Sequence, residues 1–357
     1  MDSTDDGESD GTIRMSLPDW ISILKTIVQP KLRRSARKWR GLGVVVGIAI
    51  AAAAIFALTH TLRHIDYDEV FDVIRHTSSS LIALAATLVL TSYVSLTLYD
   101  LLALRTIGRA DIPYRVAALA SFTSYPIAHG IGAVSLVSPV IRYRIYSYNG
   151  LGAFDVANIC FLTGLTFWLG NLTALGIGLL FAPVAIGVVD FLPPQVNRWL
   201  AAALLLAIVM FLAWCWAAPR NIGTRRWPVR LPSGPLVLLQ IVIGIFDLGA
   251  AALAMYVLIP SAPDIGLFPV MAVFIAATLL GFASHTPAGI GVFDATFLIG
   301  LGNDDKEPLV AALLMFRLLY HFLPFVLALG VFGLVEGWRS LRGRRQTQSP
   351  PIPASSA

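Results

Sequence analysis

The chain has 357 residues, of which 57% are apolar and only 13% charged, with a mean hydropathy of +0.75 and a net charge of +5. Soluble domains carry about a quarter charged residues, so a water-soluble globular fold is excluded and repeated bilayer spans of roughly 20 apolar residues are expected instead. The basic surplus sits beside apolar segments, which argues for anionic lipid headgroups rather than nucleic acid as its partner.

Residues 1–41 are acidic and then basic, and Lys31, Arg33, Arg34, Arg37, Lys38 and Arg40 precede the first apolar run. No early apolar core marks a cleavable signal peptide. The compositions of 1–12 and 346–357 predict disorder. Six long apolar runs follow, at about 42–60, 81–103, 156–181, 199–217, 236–259 and 309–335. Two further stretches, 116–141 and 267–302, are apolar but interrupted by Pro and Gly.

Orientation follows from the basic residues of the connections. With a cytoplasmic N-terminus, 21 of the 26 Lys and Arg fall on the cytoplasmic side and four on the other, while Arg317 lies inside a span. Both ends of 116–141 are then cytoplasmic and both ends of 267–302 external. Re-entrant hairpins are the economical solution, with two tight crossings an alternative for the longer stretch. The expected fold is an all-α polytopic membrane protein of about six full transmembrane helices plus two re-entrant helical hairpins. Residues 42–181 and 199–335 form an inverted repeat, and a cytoplasmic tail covers 336–357. His129-Gly130-Ile131-Gly132 in one broken segment matches Ala288-Gly289-Ile290-Gly291 in the other. Broken helices of inverted repeats that meet near the midplane are a transporter architecture.

The first broken segment reads SFTSYPIAHGIGAVSLVSPVIRYRIYS. Pro126, Gly130, Gly132 and Pro139 are read as helix breaks, which would free backbone amides for an anion. Arg142 and Arg144 follow, each either a fork for a lipid phosphate or a positive-inside anchor. The second segment, GFASHTPAGIGVFDATFLIG, groups Ser284, His285, Pro287, Gly289, Gly291 and Asp294. His285 titrates near neutral when unperturbed, or is a packing residue. Asp294 needs a partner inside the bilayer, or else lies near the outer surface.

Arg317, with His321 four residues on in LLMFRLLYHF, is the sharpest single residue, and Asp294 and Asp247 are its candidate partners. Asp100, in LYDLLALR, is free to pair with Arg105 at the interface. Thr163, Thr166, Trp168 and Asn171 read as helix-packing positions. Cys160 and Cys215 form no CxxC pair and read as small buried hydrophobes. No Walker A, HExxH or GxSxG pattern occurs, so neither a cofactor nor a metal is expected, nor enzymatic activity.

The ordered set LYDLLALRTIG…IPYR, ASFTSY…RYRIYS…GLGAFDVA, LTFWLG, SHTPAGIGVFDA and ALLMFRLLYHFLPFVLAL resembles the transmembrane flippase region of lysylphosphatidylglycerol synthases, the multiple peptide resistance factor type. It is also similar to the stand-alone YbhN-like proteins. The resemblance covers roughly 42–340. It implies a bacterial inner-membrane, multi-pass protein with both termini cytoplasmic that moves a phospholipid, aminoacylated phosphatidylglycerol in the two-domain relatives, between leaflets. The soluble synthase domain of those relatives has no counterpart in these residues. The family's second segment usually reads SHxPGGLGVFE, where this chain has Ala288 and Asp294. Ser138 and Pro139 replace a Gly pair in the first, and His321 stands where Tyr is common. On this reading Arg142 and Arg317 meet a phosphate. Arg144, His285 and His321 complete the candidate site, with Asp294 and Asp100 meeting a cationic headgroup or balancing the arginines. The partners are a phospholipid and the membrane, a homo-oligomer being compatible with both. A scaffold or regulator that binds anionic lipid without moving it is the alternative.

Overall fold

A computed structural model describes residues 67–183, 192–218, 221–224, 227–260, 262–301 and 306–347. The expectations for 1–66, including the first apolar run, and for 348–357 lie outside the described residues. A short helix α1 (Tyr67–His76) leads into α2 (Ser79–Thr106), where the Ser78 hydroxyl accepts a hydrogen bond from the Ser80 amide. Helices α3 (Tyr114–Ile131) and α4 (Val134–Tyr146) follow, then α5 (Ala153–Phe181) and α6 (Pro194–Ala217). The basic connection after α6 contains a small antiparallel hairpin, β1 (Asn221–Thr224) and β2 (Trp227–Arg230), which the hydropathy pattern does not announce. Beyond it come α7 (Gly234–Leu258), α8 (Leu267–Ser284), α9 (Val292–Leu301) and α10 (Glu307–Phe316). A π-helical turn (Arg317–Phe322) joins α10 to α11 (Leu323–Thr347).

Among the described residues six helices are long and apolar enough to cross a membrane. Five coincide with the apolar runs; the last of these is continuous from Glu307 to Trp338 through the π turn. The sixth is Leu267–Ser284, the first half of the second broken segment. At 1.5 Å per residue its 18 residues extend about 27 Å, close to the hydrocarbon thickness.

Lipid offers no hydrophobic drive between helices, so close backbone approach has to hold the bundle together. Helix α7 is the hub and packs against α2, α5, α6, α8 and α10. At its crossing with α5 a Cβ on Gly170 would lie 2.5 Å from the Gly244 Cα, so each helix needs glycine there. Helix α6 is peripheral, and only Asn197, Ala201, Ile208 and Cys215 are buried along it.

Both broken segments fold as packed helix pairs, with differences from the sequence reading. The first spans 114–146 rather than 116–141, so Arg142 and Arg144 lie within its second helix and not after it. Pro126 and Pro139 sit inside α3 and α4 and break neither. Gly130 is also helical: its hydrogen makes room for Phe325, whose ring carbon would be 2.5 Å from a Cβ. The break falls at Gly132, with φ of 77°, and Ala133. In the second segment the break runs from His285 to Gly291, with Pro287–Gly289 forming a single 3-10 turn.

Candidate functional site

The two breaks touch. A Cβ on Gly132 would come within 2.8 Å of the Pro287 backbone nitrogen, so the turn of one helix pair sits directly on the turn of the other. A left-handed glycine is required at Gly132 both for its φ and for this contact. Beside the junction lies a cavity of about 520 Å³. Its wall takes His129, Ser138 and Arg142 from the first pair, His285 and Gly289 from the second, and Tyr99, Gly164, Asp247, Tyr320 and His321 from the surrounding helices.

Arg142 reaches the wall from α4 but is already bound. Its Nε donates to Asp100 Oδ2 at 3.1 Å and its Nη2 to Asp100 Oδ1 at 2.8 Å, while Nη1 donates to the Ser138 hydroxyl. The Tyr146 hydroxyl donates to Asp100 Oδ2 at 2.8 Å. Asp100 is fully buried and Arg142 nearly so. Asp100 therefore pairs with Arg142 and not with Arg105, because α4 folds back against α3, which packs on α2, and so brings the deeper arginine to it. Arg144 points elsewhere: its Nε and Nη2 donate to Glu336 Oε2 at 2.9 and 2.7 Å, in an exposed pair outside the cavity wall.

Arg317 pairs with Asp294, the nearer of its two candidate partners. Nε and Nη2 each donate to a carboxylate oxygen at 2.7 Å, and Nη1 reaches the Ala288 carbonyl at 3.4 Å. Asp294 Oδ2 also accepts the Gly291 amide at 3.0 Å, capping the first turn of α9. Arg317 thus ties the second break to the last long helix. The π turn that begins at Arg317 replaces the regular spacing assumed from i and i+4. His321 lines the cavity with its Nδ1 buried and without a hydrogen-bond partner, and His129 Nδ1 is in the same state. His285 is exposed with φ of 55°, and its Nδ1 lies 3.0 Å from the Ala283 carbonyl.

Several wall residues carry no label in the sequence reading. Asp247, considered there only as a partner for Arg317, instead accepts hydrogen bonds from Ser92 Oγ at 2.5 Å and Tyr99 Oη at 2.8 Å. The Tyr93 hydroxyl donates to the Tyr320 carbonyl at 2.8 Å, an acceptor in the π turn. Tyr125 stacks on His129 with ring centres 4.7 Å apart. A charge and several hydroxyls in apolar spans were visible signals. Their convergence from positions 148 to 228 residues apart was not.

No family model matches the chain. It is 29% identical to the inner membrane protein YbhN of Escherichia coli over 88% of this chain and 99% of that protein. It is 27% identical to the uncharacterized protein slr0712 of Synechocystis, over 85% of this chain and 95% of that protein. The chain is a homologue of YbhN and of the N-terminal region of phosphatidylglycerol lysyltransferases. The Staphylococcus haemolyticus phosphatidylglycerol lysyltransferase aligns at 23% identity over 81% of this chain, which spans 33% of that enzyme. With YbhN the correspondence takes in nearly all of that protein; with the lysyltransferase it covers a minority of a longer protein. The Asp100–Arg142 and Asp294–Arg317 pairs, the two breaks and the cavity all lie in the described residues between 92 and 322.

Proposed function

We propose that the protein is an inner-membrane lipid transporter that moves a phospholipid between leaflets, with both termini cytoplasmic. The observation that carries this reading is the cavity of about 520 Å³ at the point where two broken helix pairs meet. Irregular backbone at membrane depth is tolerated where it is buried in protein or lines a wet cavity, and both breaks line this cavity. In this reading 114–146 and 267–301 are re-entrant hairpins that enter from opposite faces, and the two halves are inverted repeats. One repeat rocks against the other, and the headgroup occupies the cavity while its acyl chains remain in lipid. Arg142 supplies a partly satisfied guanidinium to the headgroup phosphate. Aminoacylated phosphatidylglycerol is one cargo in keeping with the lysyltransferase homology.

Gly164 provides a clean test. It lines the cavity, and a Cβ there meets nothing within 4 Å, so a side chain can start there and Gly164→Leu adds bulk at the cavity wall. In vesicles reconstituted with fluorescent phospholipid, the wild type should move the probe and Gly164→Leu should slow it at least tenfold, with unchanged thermal unfolding. Equal rates would remove the cavity from the route. A wild type that binds anionic lipid and moves none leaves the scaffold reading in its place. Orientation is tested with Tyr148→Cys and Asp264→Cys in a background lacking Cys160 and Cys215. The two exposed sites should react with impermeant reagent from opposite sides; reaction from one side would sink the inverted repeat.

A further inference from the structure

Among the described residues three aspartates, Asp100, Asp247 and Asp294, are held inside the bundle, and one of them differs from the other two. Asp100 and Asp294 each face an arginine fork. Asp247 lies midway along α7, is 5% exposed and lines the cavity, yet among the described residues no Lys, Arg or His forms an ion pair with it. Its two donors, Ser92 and Tyr99, are neutral hydroxyls. A carboxylate at this depth is expensive without a compensating positive charge, and two neutral donors offset only part of that. The cavity gives it a route to water that a sealed packing residue would lack. We propose that Asp247 is the proton-binding site of this cavity and that its protonation couples lipid movement to the proton gradient.

The groups around it leave no other anion to share that role. Helix α2 brings Tyr93 and Tyr99, α3 brings Tyr125 and His129, and the π turn brings Tyr320 and His321. From α5 comes Cys160, and Arg142 stands on the same wall with its charge balanced by Asp100. Helix α8 has no acidic or basic residue, while α6 and α10 have theirs, Arg198 and Glu307, near their N-termini. Protonation thus removes one negative charge from the cavity wall as hydronium gives a proton to an Asp247 oxygen and leaves water. Release of that proton toward the opposite face completes one coupled cycle. The coupling rests on the transport reading; the protonation does not.

Infrared difference spectra of the full chain in nanodiscs, recorded as bulk pH is stepped, read the acid directly. The wild type should show a protonated-carboxyl stretch that titrates and that is missing from Asp247→Asn. Tyr99→Phe, which removes one donor to the charged form, should shift the midpoint to higher pH. No titrating band in the wild type, or an unchanged band in Asp247→Asn, overturns the site. In vesicles, an imposed pH difference should change the wild-type lipid rate at least threefold. In Asp247→Asn that response should fall below 1.5-fold, at whatever rate remains. A wild type indifferent to the gradient, or a variant that keeps the response, overturns the coupling. If the wild type moves no lipid at all, the transport reading falls and the coupling with it, while the infrared titration still decides the site.

Discussion

The two broken helix pairs solve one problem with opposite charges. In the first, the second helix of the pair carries the arginine, Arg142, and a long helix carries its acid, Asp100. In the second, the second helix carries the acid, Asp294, and the last long helix carries the arginine, Arg317. Each pair latches an interrupted helix onto a continuous one. They differ in depth: the first latch is 6% and 0% exposed at its two side chains, the second 18% and 13%. They also differ in their turns, since the first break uses glycine for its positive φ while the second places His285 and Ala288 there as well. The first pair thus has a deeply buried latch on a relaxed turn, and the second a less buried latch on a strained one. In a rocking mechanism the second is the half built to move.

The largest effect that separates them should come from breaking the latches. Arg142→Ala leaves Asp100 buried and unpaired, which costs about 3–5 kcal/mol. Asp294→Ala should cost roughly half as much, because the Arg317 it leaves unpaired is less deeply buried than Asp100. Unfolding in detergent, followed by tryptophan fluorescence, checks the order; an equal loss at both sites would erase the distinction in depth. The double change Asp100→Leu with Arg142→Met should recover most of the first loss, since an apolar pair of similar volume removes both desolvated charges.

Next in size is the contact between turns. Gly132→Ala forces a Cβ against the Pro287 backbone at a φ of 77°. The backbone strain alone is about 1–2 kcal/mol, and the clash adds to it by parting the breaks. Unfolding should shift by more than that strain, and a spin-label distance across the junction should lengthen. Arg144→Ala should do far less. Its exposed pair with Glu336 is worth under about 1 kcal/mol, and lipid movement should stay within twofold of wild type.

These contrasts also mark where sequence reasoning succeeds. The interruption of 114–146 and 267–301 by Gly and Pro was legible, because hydrophobic runs of that length otherwise continue as spans. Which residue does the breaking was not. Pro126 and Pro139 are accommodated within helices, as membrane helices allow, and of these breakers only Gly132 turns the chain. The pairing of Arg317 with Asp294 was among the expectations, since both lie in apolar segments and neither is tolerated there alone. The partner of Asp100 stayed open between Arg105 and the candidate-site arginines, because the return of α4 against α3, which brings Arg142 to it, is tertiary information. The π turn was invisible as well, for it changes spacing by a fraction of a residue without any change in composition.

The smallest effect is the most pointed. Ala288 holds a φ of 49° in the second break, a conformation glycine adopts freely and alanine at a cost of about 1–2 kcal/mol. Its carbonyl also accepts from Arg317, so the strained residue belongs to the latch itself. Ala288→Gly removes the strain while giving the unfolded chain more freedom, which returns about 0.4–1 kcal/mol of the gain. The net change in stability should lie between zero and about 1.6 kcal/mol in favour of the variant. If strain stored in this turn helps the second half to move, relaxing it should slow lipid movement even as the fold becomes no less stable. A variant that is destabilised, or that moves lipid faster, would show that alanine's restriction of the turn, rather than its strain, is what the second half uses.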